Sequence, residues 1–199
     1  MKSPVYLHPV LYEFSLRLIY GSNYSERLRA VADLIPDGSE VTDVCAGDCA
    51  IYRYVLRRRN VRYLACDNND TFLHWGKRRG IPTRRLDLER DEIPPSDCIL
   101  LMGSLYQFIP REREILIRLR QAAKRQFIVT EPIRNFAQSR YAVLRWLGRL
   151  GTHLDQQACR YRFTQETLEP LLVSLGFQTI THIAGEREML GLFNKEKNE

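Results

Sequence analysis

The sequence has no apolar run that approaches the ~20 residues needed to cross a bilayer. Its N-terminal residues also lack the basic segment, long apolar core and small-residue cleavage site of a secretory signal. Internal repeats, linkers and low-complexity tracts are absent as well. A chain of 199 residues with 44% hydrophobic content can bury one core and is short for two. We therefore expect one cytoplasmic domain over residues 1–199.

A framework of paired cysteines is also missing. The five cysteines are an odd number and lie in or beside apolar segments, which favours reduced thiols. Cys45 and Cys49 have no matching pair of Cys or His residues elsewhere, so the sequence predicts no zinc site and no other metal site. Packing of small buried thiols is the expected role, and a redox role is the alternative.

Neither sign of charge dominates the chain. The net charge is +6 and comes from local basic clusters such as residues 57–59 and 77–79. Solvated helix faces are the expected explanation. A surface for an anionic substrate, a nucleic acid or acidic lipid headgroups is the alternative.

The helical spacing of apolar residues over 10–34, interrupted at 21–23, predicts an N-terminal helical cap within residues 1–36. Strands and helices then alternate. The predicted strands are residues 40–45, 61–66, 83–88, 98–102 and 126–130, and the predicted helices are residues 50–58, 70–79 and 111–124. This alternation is typical of a doubly wound parallel sheet with helices on both faces.

The pattern changes after Pro132. A basic amphipathic helix that contains Trp146 is predicted over 135–150, and a polar loop over 151–160. The chain ends with a predicted helix over 165–175 and an antiparallel hairpin of strands over 177–183 and 188–194. The predicted fold class is therefore α/β, with a doubly wound, mostly parallel seven-stranded sheet that ends in this hairpin.

Residues 41–50 have the sequence Val-Thr-Asp-Val-Cys-Ala-Gly-Asp-Cys-Ala. An apolar strand here ends in a turn of small residues and leads into a helix. Small side chains let a ligand approach the backbone, so this pattern is typical of a nucleotide-binding corner. Asp43 lies within the strand, ahead of the turn. The segment resembles motif I of the class I S-adenosylmethionine (SAM) methyltransferases, an acidic residue followed by Gly-x-Gly-x-Gly, with Cys45 and Cys49 at two of the glycine positions.

The resemblance implies a role for each residue of this corner. Asp43 would hold the amino group of the methionine moiety, and Cys45, Ala46 and Gly47 would present backbone to the ligand. The two cysteines depart from the motif. A glycine that needs a positive φ becomes cysteine only with strain, whereas a glycine needed for close approach tolerates a small side chain. The sequence leaves both cases open.

Acidic residues follow the next two strands as well. Asp67, with Asn68 beside it, ends the second strand, where the resemblance implies contacts to the ribose hydroxyls. Asp87-Leu88 follows the third strand and is implied to contact the adenine ring. Because the carboxyl ends of parallel strands meet at one edge of a sheet, these residues are expected to line one site.

After the fourth strand, Gly103-Ser104 resembles the loop in which a small residue faces SAM and the next residues face the methyl acceptor. Tyr24, in the N-terminal helical region, is implied to cover the cofactor. A dinucleotide such as NAD is the competing ligand, but its Gly-x-Gly-x-x-Gly motif would need glycine where Cys45 and Ala50 stand. We therefore expect SAM as the cofactor.

Tyr106, Glu131 and His153 are the candidate catalytic residues, because each is expected over the carboxyl edge of the sheet. Methyl transfer from a sulfonium is an in-line displacement that depends on positioning. A general base helps when the acceptor is a hydroxyl or an ammonium group. The alternatives are a buried Glu131 paired with an arginine such as Arg134, and an exposed loop position for His153.

Residues 133–163 are interpreted as an inserted substrate cap or lid, which the resemblance associates with small-molecule methyltransferases. Their basic helix over 135–150 is alternatively a peripheral membrane contact. The predicted function is methyl transfer from SAM to a small metabolite or natural-product-like acceptor. RNA or protein methylation is an alternative, although no Asn-Pro-Pro-Tyr-like loop follows the fourth strand. A non-catalytic SAM-binding partner subunit is the other alternative.

Overall fold

The computed structural model describes residues 8–133 and 162–195. The helices are α1 (Pro9–Tyr20), α2 (Asn23–Ala32), α3 (Ala50–Tyr54), α4 (Asp70–Lys77), α5 (Glu112–Ala122) and α6 (Gln165–Ser174). The strands are β1 (Glu40–Val44), β2 (Arg62–Asp67), β3 (Thr83–Arg85), β4 (Ser96–Met102), β5 (Ala123–Pro132), β6 (Thr179–Ile183) and β7 (Glu188–Asn194). No helix within these two ranges is long and apolar enough to span a bilayer. The predicted helix over 135–150, the loop over 151–160 and His153 lie outside the described residues.

The strands form one seven-stranded sheet in the order β3-β2-β1-β4-β5-β7-β6. Strands β1 to β5 pair in parallel, whereas β7 runs antiparallel to both β5 and β6. The predicted architecture and its C-terminal hairpin are confirmed. The strand order reverses at β1, which lies between β2 and β4. Ligands of open α/β sheets bind outside the carboxyl ends of the strands at such a reversal.

The central strands are apolar because helices cover both faces of the sheet. Residues 98–101 of β4 are fully buried, which is typical of an interior parallel strand. Alternate β4 side chains belong to two separate core clusters. Helix α2 packs Leu28 and Val31 into the first cluster, and α5 packs Ile115 and Leu119 into the second. The sheet edge that carries the candidate site therefore rests on a core that is covered on both sides.

Local side chains mark where several helices begin. Pro9 occupies the first turn of α1, where its missing N–H is tolerated. The Asn69 side chain accepts a hydrogen bond from the Thr71 backbone N–H at 3.1 Å and caps α4. Thr164 and Thr167 form a reciprocal capping box at the start of α6. These caps orient helices that flank the carboxyl edge of the sheet.

The helix predicted over 111–124 ends at Ala122, because Ala123 has extended backbone angles and begins β5. Two other predicted elements lose about half of their length. The strand predicted over 83–88 is only the short β3, because the chain turns at Asp87, whose carbonyl accepts the Asp91 N–H at 2.8 Å. The helix predicted over 50–58 ends early as α3, because Val55 has the non-helical angles φ −127° and ψ −61°. A short 3₁₀ helix follows it.

Candidate functional site

The turn after β1 has left-handed backbone at three alternate positions. The φ angles are 57° at Cys45, 53° at Gly47 and 55° at Cys49. These are the glycine positions of the motif that the sequence resembles. Both cysteines therefore fall in the strained case, in a conformation that costs a residue other than glycine about 1–2 kcal/mol. The backbone of residues 45–49 therefore keeps the conformation that a three-glycine motif would adopt, although two of the three positions are cysteine.

Cys49 is buried in one core cluster, and Cys45 is half-buried against the other. The Cys49 Sγ lies 3.7 Å from the position that a Cβ at Gly76 would occupy. Burial raises the pKa of the Cys45 and Cys49 thiols above the ordinary value, and it raises the pKa of Cys66 to about 12. Because the thiolate is the reactive form, these neutral thiols favour the packing role over the redox role.

Asp67 braces the corner from the end of β2. Its Oδ2 accepts a hydrogen bond from the Gly47 N–H at 2.9 Å, and its Oδ1 accepts one from the Asn69 N–H at 2.8 Å. An ionised carboxylate is purely an acceptor, which is the chemistry that ribose hydroxyls require. Asn68, the neighbour that was predicted with Asp67, is exposed.

Asp43 lies deep in the same site. It is 3% exposed, and its Oδ2 accepts a hydrogen bond from the Tyr63 hydroxyl at 2.5 Å. The Tyr63 ring stacks on Tyr52 with 4.6 Å between centroids, which holds the hydroxyl in place. Burial raises the pKa of Asp43 to about 7 in spite of this bond. A cationic ligand group beside Asp43 would restore its charge.

A second buried acid, Asp48, had not been predicted as a site residue. Its Oδ2 accepts a hydrogen bond from Arg53 Nη1 at 3.0 Å. Burial still outweighs the ion pair and raises the pKa of Asp48 to about 6. The available signal was its position within the turn, directly after Gly47.

A small, partly open cleft of about 30 Å³ lies above the corner. Small-molecule sites hold about 300–1,000 Å³, so a nucleoside-sized ligand enters this cleft only if neighbouring side chains move. Helix α1 forms one wall, because the Tyr12 ring lies 3.3 Å from the position of a Cβ at Gly47. Tyr12 also meets Phe72 edge to face at 5.4 Å between centroids. The cleft is lined by Tyr12, Leu16, Arg27, Leu28, Asp43, Cys45, Ala46, Asp48, Ala50, Ile51 and Met102.

Asp87, Leu88 and Tyr24 are predicted cofactor residues that lie away from the lining of this cleft. Asp87 caps a turn, since its Oδ1 accepts the Glu89 N–H at 3.1 Å. The Leu88 side chain is buried in the core cluster beneath that turn. Tyr24 is also buried, packs edge to face on Tyr54, and has no hydrogen-bond partner for its hydroxyl among the described residues. Their predicted contacts with a cofactor stay predictions.

The loop after β4 meets the end of β5. Gly103 has φ 64°, and Ser104 behind it is buried. The Leu105 N–H donates a hydrogen bond to Glu131 Oε2 at 2.8 Å. Glu131 is 1% exposed, its Oε1 has no hydrogen-bond partner within the described part of the chain, and burial raises its pKa to about 8.

Tyr106, the next candidate residue in this loop, makes a cation–π contact with Arg162. The Arg162 guanidinium is 4.2 Å from the centroid of the Tyr106 ring. Arg162 also lowers the pKa of Glu131 electrostatically, although burial has the larger effect. The structure thus brings Tyr106 and Glu131 to one region, whereas His153 and Arg134 lie outside the described residues.

A buried ion pair joins α2 to β7 beside this loop. Arg27 Nε donates to the two carboxylate oxygens of Glu188 at 2.8 and 2.7 Å, and the Tyr20 hydroxyl donates to Glu188 at 2.5 Å. Arg27 and Glu188 are not among the residues predicted for the site. The available signal was an arginine in the apolar stripe of α2, where Tyr24 and Leu28 are also buried.

The acids around the cleft fit SAM. Asp43 and Asp48 line it and suit a ligand that carries an ammonium group. Asp67, which bonds the Gly47 N–H from outside the lining, has the acceptor oxygens that ribose hydroxyls need. The space above Gly47 is narrow, because a Cβ at that position would lie 3.3 Å from the Tyr12 ring. A ligand that follows the backbone of the corner must pack against the Tyr12 ring or displace it.

No protein-family model matches the sequence, and no curated protein matches it. Solved structures do match. A SAM-dependent methyltransferase from Thermotoga maritima, described as a possible histamine N-methyltransferase, is 15% identical with a TM-score of 0.65, over 96% of this chain and 97% of that one. A chain from the complex between the Haloferax volcanii Trm112 methyltransferase activator and a methyltransferase is 10% identical with a TM-score of 0.70, over 96% and 97% of the two chains.

Human N-acetylserotonin methyltransferase in complex with SAM is 16% identical with a TM-score of 0.64, and the match covers 96% of this chain. The chain spans 57% of the length of that enzyme and 57–61% of other large enzymes that it matches. Identities this low are informative about the fold. Together with the strand order and the C-terminal hairpin, they show that this chain has the Rossmann-like fold of the class I SAM-dependent methyltransferases.

Proposed function

We propose that this chain binds SAM and transfers its methyl group to a small-molecule acceptor. One observation carries the proposal: at the strand-order reversal, buried Asp43 and the corner braced by Asp67 border one cleft. The fold supports it, because its neighbours are SAM-dependent methyltransferases and one of them is described with SAM bound. The cleft supplies acids and close-approach backbone where such a ligand needs them.

In this proposal the ligand is held by groups from two strand ends, those of β1 and β2. Asp43, with Asp48 nearby, binds the ammonium group of the amino-acid moiety, and Asp67 accepts hydrogen bonds from the ribose hydroxyls. The backbone of Ala46 and Gly47 lies against the ligand. When bound, SAM supplies a methyl group on a sulfonium, so the protein contributes mainly orientation.

Glu131 is the proposed proton acceptor on the acceptor side. Its raised pKa of about 8 means that it holds a proton at neutral pH and releases it under mildly alkaline conditions. A carboxyl group poised near the working pH can take a proton from a hydroxyl or ammonium acceptor. Tyr106, under the Arg162 guanidinium, is proposed to orient that acceptor. His153 and the cap over 133–163 stay proposals of the sequence.

A non-catalytic SAM-binding partner subunit is the second candidate. The replacement of two motif glycines by Cys45 and Cys49 motivates it, because both cysteines hold a left-handed backbone that glycine adopts without strain.

The experiment is a calorimetric titration of the purified chain with SAM and with S-adenosylhomocysteine. We expect saturable binding that Asp67→Asn weakens and that Asp33→Asn, a change at an exposed site, leaves intact. Absence of binding at millimolar ligand excludes both candidates. If binding is present, a panel of hydroxyl and amine acceptors separates them, since only the enzyme converts SAM to S-adenosylhomocysteine.

A further inference from the structure

The charges that line the cleft are arranged as two acids and one base. Asp43 and Asp48 are buried acids, and burial raises the pKa of both. The base is Arg27, which is 5% exposed and lines the same cleft from α2. Arg27 acts electrostatically on both acids and lowers their pKa values, so the three charges lie close enough to interact.

Arg27 is held rigidly from behind. Glu188 of β7 receives both hydrogen bonds from Nε, at 2.8 and 2.7 Å, and the Tyr20 hydroxyl fixes Glu188 from the end of α1. The Tyr20 ring also lies 5.1 Å below the guanidinium carbon. A guanidinium held in this way loses little conformational entropy when it binds an anion.

Arg27 lines the cleft, and its bonds to Glu188 use only Nε. Glu188 engages Nε, and a guanidinium has five N–H donors in a planar fork. Arg27 Nη2 lies 3.1 Å from the position of a Cβ at Gly103, so a side chain there would have to push the guanidinium aside. Glycine at position 103 therefore leaves Arg27 in its present place.

Arg53, which also lies near the cleft, is already bonded to two acids. Arg53 bonds to Asp48 and to Glu13 at 2.9–3.0 Å and also to the Tyr54 hydroxyl. Its charge is therefore balanced by two acids. Among the described residues, Arg27 has Glu188 alone as its bonded acid, and that carboxylate lies on the side of Nε.

We propose that Arg27 binds the carboxylate of the amino-acid end of the cofactor, so that the cleft recognises a zwitterion. This inference rests on the proposed function and deepens it. Asp43 and Asp48 take the ammonium group, and Arg27 takes the carboxylate on the same carbon through paired N–H donors. Arg27 is thereby the residue that distinguishes an adenosyl thioether with an intact amino acid from one without its carboxylate. Tyr20 and Glu188 act as positioning residues.

The test compares two ligands on several variants by calorimetry. The ligands are S-adenosylhomocysteine and its analogue in which hydrogen replaces the carboxylate. We expect the native chain to prefer the first ligand by about tenfold or more, the usual effect of a charged hydrogen bond. Arg27→Met should bring the ratio close to one with little change for the decarboxylated ligand. Arg27→Lys, which keeps the charge without the fork, should give an intermediate ratio.

Matched variants separate recognition from folding. Arg29→Met removes an exposed arginine from the same helix and should leave the ratio unchanged. Because Arg27→Met leaves Glu188 buried without its partner, the double variant Arg27→Met/Glu188→Gln is measured beside it. Circular dichroism and thermal unfolding verify that each variant is folded. If Arg27→Met does not fold, the double variant and Arg27→Lys decide the question.

Each outcome bears on one proposal or both. A native chain that binds both ligands equally overturns the role of Arg27 and leaves the proposed function standing. The same holds if the preference persists in the Arg27 variants. Failure of the native chain to bind either ligand overturns the proposed function, and the role of Arg27 with it.

Discussion

Three residues of the turn after β1 have left-handed backbone, but only Gly47 among them is glycine. Cys45 and Cys49 therefore hold a conformation that their Cβ atoms oppose. Strain of this kind persists only where the surroundings over-determine the backbone. Here the surroundings include the Gly47–Asp67 hydrogen bond and the packing of the buried Cys49 and the half-buried Cys45 against the core. The shape of the corner is thus imposed by its neighbours as much as by its own sequence.

Relief of this strain is measurable. Cys45→Gly and Cys49→Gly should each change the free energy of unfolding by up to about 1 kcal/mol in the stabilising direction, because release of 1–2 kcal/mol of strain is partly offset by the flexibility of glycine. Cys45→Ala and Cys49→Ala are the matched controls, since they remove Sγ and keep the Cβ. Urea unfolding in which the glycine variants are less stable than the alanine variants would contradict the strained assignment.

Asp43 is predicted to destabilise the free protein at neutral pH. Burial raises its pKa from 3.8 to about 7, so the folded state holds a proton that the unfolded state releases. Stability contributed by this proton is complete below the unfolded pKa and is lost as the pH rises toward 7. Asp43→Asn should therefore stabilise the chain more at pH 8, where the native carboxylate is ionised in its buried site, than at pH 5, where it is protonated.

Urea unfolding at the two pH values measures the effect, with Asp33→Asn as an exposed control for loss of one negative charge. A stabilisation by Asp43→Asn that is the same at both pH values would contradict a raised pKa. The same variant should weaken binding of S-adenosylhomocysteine. Greater stability with poorer binding is the usual trade at a buried functional acid.

The individual site residues were predictable to different degrees. Asp43 and Asp67 could be placed from the sequence because each lies at the end of an apolar strand, and parallel strand ends share an edge. Arg27 could not be, because its partner Glu188 is 161 positions away along the chain. Glu131 was predicted with an arginine as its possible partner, whereas a described contact is the backbone N–H of Leu105.

At the scale of elements, α1 is tied to the corner through a small ionic network. Glu13 of α1 accepts hydrogen bonds from Arg53 at 2.9–3.0 Å, and Arg53 also contacts Asp48 at 3.0 Å. The side chains of Glu13 and Arg53 are 14% and 18% exposed, so solvent only partly screens the pair. This network holds Tyr12 over Gly47 and thereby sets how open the cleft is.

Glu13→Gln should loosen α1 without unfolding the sheet. We expect faster amide hydrogen exchange in residues 9–20 and unchanged protection in β4, because loss of the ion pair affects local opening first. Glu26→Gln, an exposed change on α2, is the control. Equal acceleration of exchange in α1 and β4 would instead indicate global destabilisation. It would contradict a local role of the Glu13–Arg53 ion pair in holding α1.

Helix α6 packs on β7 at a point where only glycine fits. A Cβ at Gly191 would lie 2.9 Å from Leu172 Cδ1, 3.0 Å from Phe177 Cδ1 and 3.2 Å from Val129 Cγ1. Gly191→Ala should therefore cost about 1–3 kcal/mol of unfolding free energy, as overpacked cores do.

A double-mutant cycle with Leu172→Ala identifies the cause. The shorter side chain makes room, so the two substitutions together should destabilise the chain by less than the sum of the two single effects. Strict additivity, measured by urea unfolding, would show that the close contact with Leu172 is not the source of the cost.

Periodicity predicted most elements because their local signals are strong. The closing hairpin followed from two apolar strands without a helix between them, and β7 has the predicted bounds. The short β3 was overestimated because the residues that follow it are apolar in alternation, yet Leu86 and Leu88 serve the core beneath a turn. Apolar alternation reports burial, and here burial continues after strand pairing has ended.

At the scale of the whole molecule, the sheet brings separated acids to one reversal of strand order. Asp43 and Asp48 flank the turn after β1, and Arg27 reaches the same cleft from a helix that precedes that strand. The core on both faces of the sheet holds these charges in a poorly hydrated place, which is why burial dominates the pKa of each acid. In the free protein the site is therefore partly protonated near neutral pH, and a cationic ligand favours the ionised form.

Ligand binding should accordingly depend on pH in a direction set by these two acids. Below the pKa of Asp43, about 7, binding of an ammonium group requires release of a proton, so the affinity for S-adenosylhomocysteine should fall by up to about tenfold for each pH unit. Asp48, with a pKa of about 6, adds to the loss at lower pH. Calorimetry in two buffers of different ionisation enthalpy should detect the released proton, and Asp43→Asn should remove most of it. An affinity that stays constant from about pH 8 to about pH 5.5 would mean that the ammonium group lies away from Asp43, because an ion pair there must compete with the proton that burial favours.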